Sequence, residues 1–275
     1  MKFGFSIPNF GEYADVSAMA EAGRIAEDMG WDGFFVWDHV YFEGIEPVAD
    51  PWILMTSIAM RTETIRIGPM VTPLVRRRPE KLAREVATLD QLSKGRLILG
   101  IGAGWQHSPE ATGFGDPGDL RQRAEIVDET LSILIQFFKG GLVNFQGLHR
   151  TASIEAFAET HQKPHPPIWV ASTWPHRRPQ RRAARWDGVF PLSATTSESG
   201  ILTLEEFMGL VSYIRTVRPD TTNFDFVHAG RNGRGNPAEV ETFREAGATW
   251  WIEGLRPRST LMELRDKLRE GPPQT

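Results

Sequence analysis

"IRIGPMVTPLVRRRPEKLAREVATLDQLSKGRLILGIGAG", residues 65–104, is the stretch that decides the fold. It opens with an apolar strand, "IRIGPMVTP" (65–73), and closes with another, "RLILGIGAG" (96–104). Between them, "RPEKLAREVATLDQLSKG" (78–95) carries apolar residues at helical spacing. The closing strand is continuous and apolar, as expected of a parallel strand covered on both faces. Strand, helix and strand in this order predict one βαβ unit.

The same alternation extends in both directions. Upstream lie a strand at 2–8, a helix at 15–30, the strand "GFFVW" from Gly33, and a helix at 50–62 with Asp50 as N-cap and Pro51 at its first position. Downstream, an irregular stretch (105–120) precedes a long amphipathic helix (121–139) and a polar excursion (about 140–165). Strands follow at 166–172, 187–192, 223–230 and 248–255. Helices follow at 175–186, 202–218, 236–247 and 258–271. Eight strands alternating with eight helices predict an α/β fold, a single-domain (β/α)₈ barrel over 1–275. Such barrels run to about 250 residues.

Composition narrows the functional classes. The 275 residues are 40% hydrophobic with a formal net charge of -4, so no global basic field points to nucleic acid or an acidic membrane. No cysteine is present, which excludes disulfides, thiolate metal sites and cysteine nucleophiles. The first apolar run is too short for a signal core, and no run of about 18 apolar residues is present. The expectation is a soluble, cytoplasmic protein acting on a small molecule.

In a barrel of this kind the active site forms where the strands end at their C-terminal side. Strand two ends in Asp38 and His39, an imidazole beside a carboxylate that can exchange a proton near neutral pH or merely tie down a loop. Strand four ends in Gly102, Ala103, Gly104 and Trp105. These glycines either relieve crowding or let a ring or phosphate approach the backbone. They are not the dinucleotide fingerprint, because no helix starts directly after them. Strand five ends in Ala171, Ser172, Thr173 and Trp174 ahead of Pro175, Arg177 and Arg178. That segment reads equally as an anion-binding helix start or as a solvated basic face. Trp37, Trp105, Trp174, Trp250 and Trp251 either line an apolar pocket or pack the barrel. His39, His107 and His228 lie near strand ends without a His-x-His pair or carboxylate set, so no metal is expected.

Taken together, "GFFVWDHV" (33–40), the block 65–105, "RAEIVDETLSILIQFFKG" and "KPHPPIWVAS…RRAARWDGVFP" resemble the luciferase-like monooxygenase superfamily, densely over about residues 1–192. The resemblance implies a TIM barrel and an oxidoreductase or monooxygenase using coenzyme F420, slightly favoured, or FMN. It places His39 over the reactive ring, with Asp38 beside it. It puts a non-proline cis peptide at Met70–Val71 behind the ring, Gly102, Ala103 and Gly104 along the ribityl chain, and Ala171, Ser172 and Thr173 at the phosphate. Trp105 and Trp174 are left for the substrate pocket. Deazaflavin-dependent sugar-phosphate dehydrogenases of the family carry a glutamate where this chain has Trp105. The nearest downstream carboxylate is Glu110, and nothing in the sequence fixes its direction. "HAGRNGRG" (228–235) is shorter than the family's usual substrate-covering insertion.

The leading expectation is hydride transfer between F420 and an apolar organic substrate. The alternatives are an FMN-dependent monooxygenase served by a partner reductase, and a non-catalytic flavin- or deazaflavin-binding barrel. Family analogy adds a homodimer.

Overall fold

The computed structural model describes all residues except 106, 196–199, 231–235, 257 and 274–275. Part of "HAGRNGRG" (231–235) therefore lies outside the described residues. The elements run in chain order as β1 (Lys2–Ile7), α1 (Val16–Asp28), β2 (Gly33–Val36), α2 (Pro51–Arg61), β3 (Arg66–Pro69), β4 (Thr72–Pro73), α3 (Pro79–Leu92) and β5 (Leu99–Gly102). They continue with α4 (Pro109–Gly113), α5 (Leu120–Lys139), β6 (Leu142–Gln146), β7 (Thr151–Glu155), β8 (Ile168–Trp174), α6 (Arg177–Ala183) and β9 (Gly188–Ser193). The last are α7 (Leu204–Val217), β10 (Asp225–Ala229), α8 (Pro237–Glu245), β11 (Trp250–Gly254) and α9 (Leu261–Arg269).

One sheet takes the order β3-β2-β1-β11-β10-β9-β8-β5-β4, and all of its pairings are parallel. Its two ends are halves of a single strand position. β3 pairs with β2 through Phe34 and Ile67, whereas β4 pairs with β5 through Thr72 and Ile101. A parallel bridge between Ile67 and Leu97 completes the ring. The predicted barrel is therefore the fold, with the third strand divided around Met70 and Val71. Among the described residues, no helix is long and apolar enough to cross a membrane.

Local chemistry accounts for the helix limits. The Asp50 carboxylate accepts from Trp52 N (2.9 Å) and Ile53 N (3.0 Å), and Pro51 opens α2 without needing a partner for an N–H. α3 stops because Lys94 (φ 55°) and Gly95 (φ 84°) turn left-handed and return Gly95 N–H to Asp90 O at 2.9 Å.

Inside the barrel, Phe35, Trp169 and Trp250 meet ring to ring at 5.1–5.8 Å. Glycines opposite them make the room: a Cβ on Gly33 would lie 2.6 Å from Phe35, and one on Gly188 would lie 2.5 Å from Trp169. Met70, Ile98, Val227 and Ile252 complete this inner cluster. The larger apolar cluster lies between strands and helices. Each fully buried aromatic ring contributes roughly 1.5–3 kcal/mol through area removed from water.

The polar excursion at 140–165 is an antiparallel hairpin, β6–β7, outside the barrel sheet. Glu129 on α5 accepts the backbone N–H groups of Leu148, His149 and Arg150 at 2.7–2.9 Å. The Arg150 guanidinium then donates to the carbonyls of Val75 (3.2 Å) and Arg77 (3.3 Å), on the segment that follows β4.

Candidate functional site

Where β2 ends, the chain turns polar because buried partners are waiting for it. Asp38 is fully buried at its side chain, and Arg77 Nη2 lies 2.7 Å from each carboxylate oxygen. The Thr72 hydroxyl also donates to it, and Arg76 donates to its backbone carbonyl. A buried charge demands such pairing. Asp38 is thus engaged from the wall of the barrel. Its role is to fix the next residue and the two arginines.

His39 stands half-buried at the mouth. Its backbone is clamped by Asn9, whose side-chain amide donates to His39 O (2.7 Å) and accepts from His39 N (3.2 Å). Its ring lies edge-on to Phe10 (5.8 Å) and Phe42 (5.4 Å), with Trp37 at 6.0 Å. His39 Nδ1 is 3.2 Å from Glu110 Oε2. Among the described residues, Nε2 has no hydrogen-bond partner.

Glu110 sits on α4, which forms because the Ser108 hydroxyl caps it, accepting from Ala111 N at 3.1 Å, and Pro109 opens it. The helix aims Glu110 back at β2. Its carboxylate meets Arg76 Nη1 at 2.7 Å and accepts from Val40 N and, at 3.2 Å, Tyr41 N. Burial pushes the Glu110 carboxyl up. The hydrogen bonds from His39, Val40 and Arg76 outweigh burial and bring it from 4.5 down to about 2. An ionised carboxylate only accepts, so His39 Nδ1 carries the hydrogen in this contact.

The remaining expected positions fall into two groups. The peptide bond between Met70 and Val71 is cis, with both side chains packed on the inner cluster. Gly102 ends β5, and a Cβ there would lie 2.9 Å from Val71 and 3.3 Å from Ala171. Gly104 is left-handed (φ 72°), and a Cβ would lie 2.8 Å from the guanidinium of Arg123. Arg123, buried on α5, donates to Ala103 O (3.0 Å) and Pro117 O (2.7 Å) and so pins this loop.

Ala171, Ser172 and Thr173 lie within β8, paired with β9, and α6 begins only at Arg177. This corrects the expected turn with Pro175 opening the helix. Strand alternation separates the three: Trp169 is in the inner cluster, so Ala171 and Thr173 share the inner face and are half-buried at the mouth. Ser172 faces outward and donates to Gln180 on α6 at 2.9 Å. Trp174, expected in the substrate pocket, also faces outward, buried beside Arg177 (4.7 Å) and Gly209 of α7. Trp105 is 75% exposed on the rim.

Sequence reading missed Asn9, Thr72, Arg76, Arg77 and Arg123. The run Arg76-Arg77-Arg78 directly after a strand end was the available signal. Among the described residues, no group of His, Asp and Glu is arranged to hold a metal.

Comparison with known proteins agrees with the fold. Residues 1–202 match the family described as luciferase-like monooxygenase. A relative named F420-dependent glucose-6-phosphate dehydrogenase, from Microbacterium testaceum, is 27% identical over 64% of this chain and 52% of its own. The chain spans about half the length of the curated relatives it matches. Two solved structures share the fold. Monooxygenase RslO1 from Streptomyces bottropensis has a TM-score of 0.77 at 20% identity, covering 98% of this chain and 97% of its own. An F420-dependent secondary alcohol dehydrogenase in complex with an F420-acetone adduct has a TM-score of 0.79 at 16% identity, with 98% and 97% covered. The chain belongs to the luciferase-like monooxygenase family.

Proposed function

We propose that this chain is an oxidoreductase that binds coenzyme F420 at the barrel mouth and exchanges a hydride with an apolar organic small molecule, His39 handling the proton. The observation that carries this is the imidazole of His39 at the end of β2, anchored through Nδ1 by Glu110 and with no partner at Nε2 among the described residues. The names of an F420-dependent relative and of an F420-dependent structural neighbour support the choice of coenzyme.

The residues present fit a flat heterocycle. The inner face at the mouth is built from small side chains, Gly102, Ala171 and Thr173 among them, over an apolar floor of Met70, Val71 and Trp169. Small residues on that face leave room for a ring to approach the backbone. Val71 and Met70 would back the ring, Gly102, Ala103 and Gly104 would lie along its side chain, and Ala171 and Thr173 would border it. When bound, a deazaflavin supplies a ring carbon that accepts or releases hydride.

Hydride exchange at an alcohol or carbonyl carbon also requires one proton to leave or reach the oxygen. Neutral Nε2 of His39 can take it, and the imidazolium can return it. Glu110 is tied to His39, Arg76 and two backbone amides, so it is not positioned to reach a substrate. The position after the glycines that end β5 is the exposed indole of Trp105. Val40, Tyr41 and Leu192 are also exposed near strand ends. This rim suits an apolar substrate better than a sugar phosphate.

Mixing the purified protein with F420 and, separately, with FMN tests the reading through fluorescence quenching and visible absorbance. Saturable F420 binding, followed by F420 reduction with a panel of apolar alcohols that fails in His39→Ala, is the expected result. Binding of FMN alone would instead support an oxygenase that relies on a separate reductase. Binding of neither would favour a barrel without redox chemistry.

A further inference from the structure

We propose that Glu110 is the positioning residue of this site: by accepting the Nδ1 hydrogen of His39 it fixes the tautomer and leaves Nε2 as the nitrogen that faces incoming substrate. The inference rests on the reading of His39 as the proton-transfer group and adds the device that makes it directional.

Three observations carry it. Glu110 is buried, 6% exposed, although it lies on a five-residue helix in an otherwise irregular loop. A carboxylate is buried there only because His39, Arg76, Val40 N and Tyr41 N satisfy it. Arg76 in turn spans from Glu110 to Asp38, donating to the Asp38 carbonyl and standing 3.6 Å from its carboxylate. Asp38 is the residue immediately before His39. The chain Asp38–Arg76–Glu110–His39 is therefore a closed loop of contacts that returns to the backbone it started from.

The charged groups around the imidazole are Glu110 from α4, Arg76 from the segment after β4, and Asp38 from the end of β2. Phe10, Trp37 and Phe42 supply the remaining walls. An ionised carboxylate at Nδ1 selects the Nδ1–H form among the neutral tautomers. It also holds the ring plane, which a lone imidazole between apolar edges would not do. The arrangement places a carboxylate five residues beyond Trp105, in a supporting rather than a donating role.

The tautomer is read directly by nitrogen NMR of the ¹⁵N-histidine-labelled, cofactor-free protein at about pH 9, above the ordinary histidine range. His39 is assigned among the seven histidines by its loss in His39→Gln. The expected wild-type signal is a single Nδ1–H tautomer. In Glu110→Gln, where the amide can donate to Nδ1, the signal moves to Nε2–H. In Glu110→Ala it becomes a mixture. The turnover number of Glu110→Ala falls roughly 10–100-fold, the range of lost supporting contacts, while F420 affinity stays within about threefold. A wild-type Nε2–H signal, which needs no variant to observe, overturns the proposal. So does an unchanged tautomer in folded Glu110→Ala. If His39→Ala instead retains full turnover, the proton-transfer reading falls while the tautomer result stands.

Discussion

Arg77 Nη2 lies 2.7 Å from both carboxylate oxygens of Asp38, inside the wall of the barrel rather than at its mouth. The pair, with Thr72 and Arg76, converts the end of an apolar strand into a rigid mount for His39. Replacing Asp38 by Asn keeps the shape but leaves two arginines short of their charge. We expect a loss of about 3 kcal/mol, the low end for breaking a buried pair, since Arg76 and Arg77 are slightly exposed. Urea unfolding of Asp38→Asn against wild type measures it.

The left-handed backbone at Gly104 and the nearby guanidinium of Arg123 make that glycine intolerant of a side chain. Gly104→Ala pays about 1–2 kcal/mol for the backbone alone and pushes Arg123 off the Ala103 carbonyl. The expected outcome is a lowered melting temperature together with at least tenfold weaker F420 binding. Thermal unfolding and fluorescence titration read the two effects separately.

Alternation along β8 predicts opposite results for neighbours. Ala171→Leu fills the mouth and weakens F420 binding by tenfold or more with little change in stability. Ser172→Ala removes only the hydrogen bond to Gln180, costing about 1 kcal/mol of stability and leaving affinity within about twofold. Equal losses of affinity in both variants would contradict the inward and outward assignment.

Glu110 also makes stability depend on acid. Its carboxyl is held down from 4.5 to about 2 in the folded chain. The stabilisation is therefore present above the unfolded value of 4.5 and is lost as pH falls towards 2. A shift of this size is worth on the order of 3 kcal/mol. Between about pH 5 and pH 2, wild type should lose more stability than Glu110→Gln, so that any gap between them narrows. Denaturant titrations at several pH values follow the convergence.

Much of the barrel was legible because βαβ alternation is written in composition: apolar runs of four to seven residues, helical spacing, and glycines at the stops. The position of His39 followed from the rule that strand C-termini face the site. The direction of Glu110 was not legible, since a short capped helix within 105–120 had to form first. Nor was the outward facing of Ser172 and Trp174, which depends on β8 continuing two residues past Ser172 before the chain turns. The partners of Arg76 and Arg77 were not legible either, because only the folded wall shows that Asp38 is buried beside them.

The hairpin β6–β7 has a consequence for how change at a distance reaches this site. Arg150 grips the carbonyls of Val75 and Arg77, and Glu129 grips the hairpin's turn. The segment that carries both site arginines is thus braced from outside, as a buttress holds a wall whose inner face bears the load. Substitution of Glu129, on the outer helix α5, is then expected to reach the proposed proton handling of His39 without touching a residue at the mouth. If the site works as proposed, that brace gives selection, natural or in the laboratory, a way to tune turnover while leaving the residues at the mouth unchanged.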